Sequence, residues 1–418
     1  MIKVLWLTNC VIPAVSKAMG KESKFVNEGW ITQMFSQLTV VKDIRMTIVC
    51  DQSKISCHGE SGNFIWYTIE QGIGETKKRE EFRNILQNEM PDVIHVWGSE
   101  YSHTETLLLA ADDLRLKNRV VISLQGIIYA IAKHYQSFLP VEAYNSVTLH
   151  DVLRKHSLRS QEAGFLERGE SEKRAFKLTE NVIGRTKWDK YCVKRINPNI
   201  RYHHCNETLR EVFYTGEWKY EECRKYSIFV SQASYPIKGF HILLKAIPHL
   251  VKKYPSLHID VAGADIVGDN TLTGRLKRSG YGKYLRKIID ENQLWDYISF
   301  LGSLNANEMK KCYLKANVFV SPSVIENSPN SVGEAMILGC PVVSSNVGGV
   351  ASIIEDEKEG LLYPADDYYM LERCISEVFD NPSEASDRGK QARKHAQLTH
   401  DTEQNLKRIL EIYKDIAQ

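Results

Sequence analysis

With 418 residues, 43% hydrophobic and 25% charged, the chain has a globular make-up and enough length for two cores rather than one. Lys and Arg number 54 against 52 Asp and Glu, so the net +2 supplies no global field toward nucleic acid. The same figures exclude disorder, collagen-like repeats and a coiled coil, and no apolar run approaches the ~20 residues of a bilayer span.

The first ten residues, MIKVLWLTNC, carry one Lys and then a short apolar run with polar breaks. They lack a signal-peptide cleavage pattern and read as a buried strand, Ile2–Leu7. Nine Cys without a C-x-x-C pair predict reduced thiols in a cytoplasmic protein rather than disulfides or a zinc site. Further strands are predicted at Arg45–Cys50, Phe64–Ile69, Asp92–Trp97, Val120–Leu124 and Asn181–Gly184. Their continuous β-branched character suits strands buried on both faces of a parallel sheet. Stretches long enough for helices lie between them, at Gly29–Leu38, Glu75–Glu89 and Ser102–Leu116. Residues 206–226, dense in charge and aromatics and weak in periodicity, read as an inter-domain connection. A second α/β series follows, with strands at Ser227–Ser231, Leu257–Ala262, Ile298–Leu301, Val318–Ser321, Pro341–Ser345 and Gly360–Tyr363. The tail from 384 reads as amphipathic helix. Two doubly wound α/β domains result, with a ligand cleft expected at the carboxyl ends of strands.

Val318–Gly349 is the most informative stretch. A buried strand and a polar loop lead to Ser328-Pro329, which has the form of an N-cap followed by Pro at the first helical position. The helix should stop at Gly339, before Pro341. N–H groups at its start, at Asn330 and Ser331, suit an anion. Glu326 lies in the loop and Glu334 lies eight residues on, sharing a helix face with Asn330 and Ser331. Carboxylates suit sugar and ribose hydroxyls because they accept several hydrogen bonds. By itself the pair also fits an acidic loop and a solvated helix Glu.

The surroundings resemble the donor-binding signature of family-4 retaining glycosyltransferases of the GT-B fold. Glu326-x7-Glu334, Ala335-Met336, Gly339, Pro341-Val342-Val343 and Gly348-Gly349 follow its pattern. Upstream, Lys238-Gly239 with Leu243-Leu244-Lys245-Ala246, His258–Gly263, Phe300-Leu301-Gly302 and Glu308–Ser323 match further landmarks in order. The likeness is close over about 228–365, and only in outline before it.

The resemblance implies an α/β GT-B fold of two Rossmann-like doubly wound domains facing a central cleft. Residues 1–215 would form the acceptor-side domain and 216–395 the nucleotide-sugar domain, with a helix in 396–418 crossing back. Lys238, beside Gly239, would neutralise a pyrophosphate; Glu334 would hold ribose hydroxyls, Glu326 sugar hydroxyls, and amides near Asn330 and Ser331 the sugar and phosphate. The family transfers sugar with retention and without metal. No metal cluster stands out here, Asp112-Asp113 and Asp366-Asp367 reading as surface charges, and no cofactor is expected. The implied partners are a UDP- or GDP-sugar donor and a glycan or lipid-linked acceptor, as in bacterial surface polysaccharide assembly, with no nucleic acid. The implied place is the cytoplasm, at the inner face of a membrane if Ile127–Ala132, Lys133 and Tyr135 touch it; a core helix explains those residues equally well.

Two positions depart from the family. Its second phosphate-binding Arg is absent, with Gln232 near that place, and Gln125 stands where an N-domain His is usual. Gln can hydrogen-bond but takes up no proton at pH 7. Arg185, after the strand Asn181–Gly184, is the expected replacement cation, whose removal should cut turnover at least about tenfold and barely change stability; its alternative is a surface Arg worth less than ~0.5 kcal/mol to stability and nothing to rate. Gly29, opening a helix after a long first loop, would allow close phosphate approach or be a simple turn. Trp97, Glu100, Tyr101 and His103 read as an acceptor surface, whereas His95 reads as a satisfied core histidine. A GT-B nucleotide-sugar epimerase and a non-catalytic glycan-binding protein are the rival readings. A dinucleotide oxidoreductase is disfavoured because no G-x-G-x-x-G follows the first strand.

Overall fold

The computed structural model describes residues 1–21, 29–268 and 271–418. These fall into two units: residues 1–130, 167–210 and 399–418, and residues 131–166 and 211–398. The boundary differs from the sequence reading at 131–166. That segment joins the second unit because Asp151 accepts a hydrogen bond from Gly280 N at 2.8 Å, and helix Val141–Asn145 packs on helix Gly280–Glu291.

The first unit is built on β1 (Ile2–Thr8), β2 (Ile44–Ser53), β3 (Cys57–Ser61), β4 (Phe64–Glu70), β5 (Val93–Trp97), β6 (Val120–Ser123), β7 (Asn181–Gly184) and β8 (Arg201–His204). Their order is β3-β4-β2-β1-β5-β6-β7-β8, parallel except for the β3–β4 hairpin. In β1 alternate residues serve opposite faces. Leu5 and Leu7 join a core with Val96, Ile122 and Leu107, while Val4 and Trp6 join another with Ile48 and Phe35. The predicted helical tail is two helices, Pro382–Thr399 and Thr402–Ile416, the second begun by Asp401, whose side chain accepts from Gln404 N. This last helix closes the second core. Tyr413 Oη accepts from Trp6 Nε1 at 2.8 Å and lies 2.6 Å from His95 Nδ1. His95 is fully buried, burial lowers its pKa to about 3, and its Nε2 reaches Ser123 Oγ at 2.7 Å. It is the satisfied core histidine of the sequence reading.

The second unit carries β9 (Ser227–Val230), β10 (His258–Ala262), β11 (Ile298–Gly302), β12 (Val318–Ser321), β13 (Val342–Ser345) and β14 (Leu361–Tyr363). All pairs are parallel, in the order β11-β10-β9-β12-β13-β14. Strand order reverses between β1 and β5 in the first sheet and between β9 and β12 in the second. Crevices outside the carboxyl ends of strands form at such reversals. Among the described residues no helix is long and apolar enough to cross a membrane, and no group of three or more His, Cys, Asp or Glu is placed to hold a metal.

Candidate active site

The reversal in the second sheet brings the loops after β9 and β12 together, and Gln232, Lys238, Gly239 and Glu326 of the sequence reading lie on them, with Asn330, Ser331 and Glu334 on the helix that follows. Lys238 ends a short turn, Pro236–Lys238, and Gly239 follows at φ +68°. A Cβ on Gly239 would stand 1.7 Å from the Pro322 carbonyl oxygen, so only glycine lets the two loops meet. Val324 N donates to Ile237 O at 2.9 Å across the same junction. Lys238 Nζ then reaches Glu326 Oε1 at 2.6 Å, and Ser323 Oγ donates to that oxygen at 2.8 Å. Both charged side chains are largely buried, at 28% and 14% exposure.

The Glu326 backbone is held from the other side. Gly349 N donates to its carbonyl at 3.0 Å, and a Cβ on Gly348, at φ +52°, would stand 2.0 Å from the same oxygen. Helix Asn330–Leu338 starts one residue later than expected. Pro329, extended at φ −70° and ψ 113°, occupies the N-cap position, so Ser328 does not cap the helix. The Pro329 carbonyl takes the first bonds, from Val332 N at 3.0 Å and Gly333 N at 3.4 Å. The stop falls at Gly339, as expected, in left-handed conformation at φ +77°. Asn330 and Ser331 open the helix, and Glu334 lies one turn in, 5% exposed. Tyr313 Oη lies 3.4 Å from Glu334 Oε2 and 3.1 Å from the Ser331 carbonyl, tying both to helix Ala306–Lys315. Gln232 packs beside Gly263, which bonds Gly302 O at 2.9 Å, so the loops after β9, β10 and β11 meet there. The sequence quoted Ser323 and Tyr313 within a pattern without giving either a role.

In the first unit, Gln125 and Arg185 converge on a residue that sequence reasoning passed over. Gln125 Nε2 donates to Glu207 Oε1 at 2.6 Å, and Arg185 Nη1 reaches Glu207 Oε2 at 2.6 Å. Arg185 also donates to the Leu124 carbonyl at 3.3 Å, and its side chain is 7% exposed. It is therefore a nearly buried, neutralised cation rather than a surface Arg. Glu207 was legible only by first recognising the polar edge strand β8, RYHH, three residues before it.

The acceptor surface is also corrected. Trp97 is buried and stacked on His95 with ring centroids 4.3 Å apart. His103, 1% exposed, turns its Nδ1 to Asp51 at 2.8 Å, and Lys78 holds the same carboxylate. The Glu100 carboxylate folds back over Gly98, at φ +98°, where its Oε2 fills the space a Cβ would take. Burial pushes Glu100 up to about 7 despite bonds from its own N–H and that of Gly126. Tyr101 is the one exposed member of the four, its ring stacked on His103 and covered by Arg168. Beside Glu100, the 1% exposed Glu172 accepts from Ser99 Oγ at 2.5 Å and Tyr129 N at 2.8 Å, and burial lifts it to about 8. Ile127, Ile128, Tyr129, Ala132 and Tyr135 are buried too, so this stretch is core and not a membrane face. Gly29 is the first residue of helix Gly29–Leu38, but residues 22–28 of the loop before it lie outside the described residues.

Residues 216–395 match the family model described as glycosyl transferases group 1. Spore coat protein SA of Bacillus subtilis (strain 168) is 25% identical over 193 residues, 46% of this chain and 49% of that protein. WcaL of Escherichia coli (strain K12), named as a colanic acid biosynthesis glycosyltransferase, is 30% identical over 129 residues, 29% of this chain and 32% of that protein. The chain thus spans half or less of the length of these curated relatives. The structure of Anabaena HepE in complex with UDP-glucose is similar at a TM-score of 0.66 and 14% identity, over 99% of this chain and 100% of that one. The fold is that of GT-B glycosyltransferases, and it is residues 216–395 that match the glycosyl transferases group 1 model.

Proposed function

We propose that the chain is a retaining, metal-independent glycosyltransferase that moves a sugar from a UDP- or GDP-sugar to a glycan or lipid-linked glycan acceptor. The observation that carries this reading is the Lys238–Glu326 pair, 2.6 Å apart at the strand-order reversal of the second sheet, with the buried Glu334 on the adjoining helix. A cation and a hydrogen-bond acceptor side by side fit the two halves of a nucleotide sugar. Lys238 would exchange Glu326 for the diphosphate, freeing that carboxylate to accept from sugar hydroxyls. Glu334 would accept from the ribose. HepE, of like fold, is named in complex with UDP-glucose, which supports this donor class.

In the reaction, the bond between the anomeric carbon and the diphosphate oxygen breaks, and the leaving oxygen keeps the electron pair. The acceptor oxygen bonds to that carbon from the same face, and its proton passes to the departing phosphate. Lys238 and the amides at the start of helix Asn330–Leu338 would bear the developing charge. Arg185, occupied by Glu207, is assigned to holding the edge of the first unit rather than to the phosphate. WcaL is named for colanic acid biosynthesis, which supports a role in polysaccharide assembly. Nucleotide release from donor, measured with and without acceptor in excess EDTA, tests the chemistry. Release should persist in EDTA, and complete loss restored by Mg²⁺ or Mn²⁺ would contradict metal independence. An absence of release under every condition would favour a glycan-binding protein.

A further inference from the structure

We infer that the second unit carries a docking surface for an anionic lipid bilayer, formed by helices Leu149–Arg154 and Leu272–Lys277. A short helix on a water-soluble surface normally turns its apolar residues inward. Helix Leu149–Arg154 does the reverse. Its Asp151, 2% exposed, points in and accepts from Thr148 N and Gly280 N, while Leu149, Val152 and Leu153 are 58%, 64% and 75% exposed. These three occupy positions i, i+3 and i+4, one helix face. The inversion is built in rather than loose, because a reciprocal capping box between Thr148 and Asp151 fixes the helix start. Helix Leu272–Lys277 packs against it and repeats the feature, with Leu272 and Leu276, also i and i+4, at 77% and 50% exposure.

Charge selects the occupant. Segments 137–155 and 271–291 together hold eight Lys and Arg against four Asp and Glu, a net +4, while the whole chain carries +2. The rest of the chain therefore sums to −2. Arg154, Lys155, Lys277, Lys283 and Lys287 are exposed among or beside the apolar residues. A groove of about 760 Å³ adjoins them, lined by five cations, Arg275, Arg278, Lys283, Arg286 and Lys287, against three carboxylates, Glu142, Asp290 and Glu291, and is large enough for phosphate headgroups. Exposed leucines interleaved with cations fit acyl chains below a layer of negative headgroups. A second copy of the chain would bring the same +4 against itself.

Vesicle binding is read directly, so the test needs no transfer activity. Full-length protein is sedimented with phosphatidylcholine vesicles, and with vesicles containing about a third phosphatidylglycerol. Wild type should bind the anionic vesicles and release as salt rises. Leu153→Glu/Leu272→Glu should bind at least about tenfold more weakly, with unchanged thermal unfolding, since both positions are open to solvent. Lys283→Glu/Lys287→Glu should lose the preference for phosphatidylglycerol. Failure of wild type to bind, or undiminished binding by both variants, would overturn the inference. So would wild-type self-association that Leu153→Glu/Leu272→Glu abolishes without altering vesicle binding, which would make the patch an interface between copies.

Discussion

At the scale of single residues, the chain pairs its charges where the sequence suggested they were open. Arg185 faces Glu207 at 2.6 Å, both side chains nearly buried, with Gln125 on the second carboxylate approach. Removing one member of a buried pair costs about 3–5 kcal/mol because the other is left uncompensated, whereas replacing both by neutral groups is often tolerated. Arg185→Ala should therefore lower stability by about that amount, and Arg185→Met/Glu207→Gln should recover most of it, as read by denaturant unfolding. A surface role would leave both variants near wild type. Gly239 makes the opposite kind of demand, on space. With φ +68° and the Pro322 oxygen 1.7 Å from a would-be Cβ, Gly239→Ala must push apart the loops that bring Lys238 to Glu326. It should destabilise by several kcal/mol, at or above about 4, by the same measurement, with loss of nucleotide affinity in whatever fraction folds. Glu326, Glu334, Lys238 and Gly239 were legible because their spacing is fixed by a strand, a loop and a helix next to one another in sequence. Glu207 was not, because its partner lies 22 residues away on another loop and no local pattern announces it.

At the scale of elements, most strands were legible because they are buried on both faces and read as continuous β-branched runs. The two that were not, β3 and β8, lie at the edges of the first sheet, where one side needs no apolar cover and the sequences CHGES and RYHH are polar. The loop after β6 was legible as a candidate site but not in its support, which comes from the long helix Leu158–Leu178 through Glu172. An unfolded chain releases the Glu172 proton near the ordinary 4.5, and the folded chain holds it to about 8. Between those values the unfolded state binds fewer protons, so stability should fall as pH rises, by up to about 1.4 kcal/mol per pH unit for the one group. Glu100, raised to about 7, adds to the same trend over the lower part of that range. Glu172→Gln should flatten the slope, since Ser99 can turn its hydroxyl to the Gly126 carbonyl and accept from the new amide. Unfolding free energies from pH 5 to 8 check this, and an equally steep slope in the variant would contradict it.

At the scale of the whole molecule, the order of strands explains the location of the chemistry better than any single motif. Each sheet reverses its winding once, and in the second the reversal lies where β9 and β12 deliver Lys238 and Glu326. The first sheet delivers Gln125, Arg185 and Glu207 near its own carboxyl edge. What the sequence could not convey was the assignment of 131–166 to the second unit, since that depends on Asp151 meeting a backbone N–H 129 residues away. The central claim, a nucleotide-sugar site on Lys238 with its paired carboxylates in divided roles, is tested most directly by calorimetric titration with UDP and GDP. Wild type should bind one of them, Lys238→Ala should bind it at least about tenfold more weakly, and Glu334→Gln should lose about 1.5–3 kcal/mol of a charge-assisted bond. Glu326→Gln should keep nearly full affinity, because the diphosphate alone lacks the sugar that Glu326 would hold. Equal losses in the two carboxylate variants, or a wild type that binds neither nucleotide, would contradict the account.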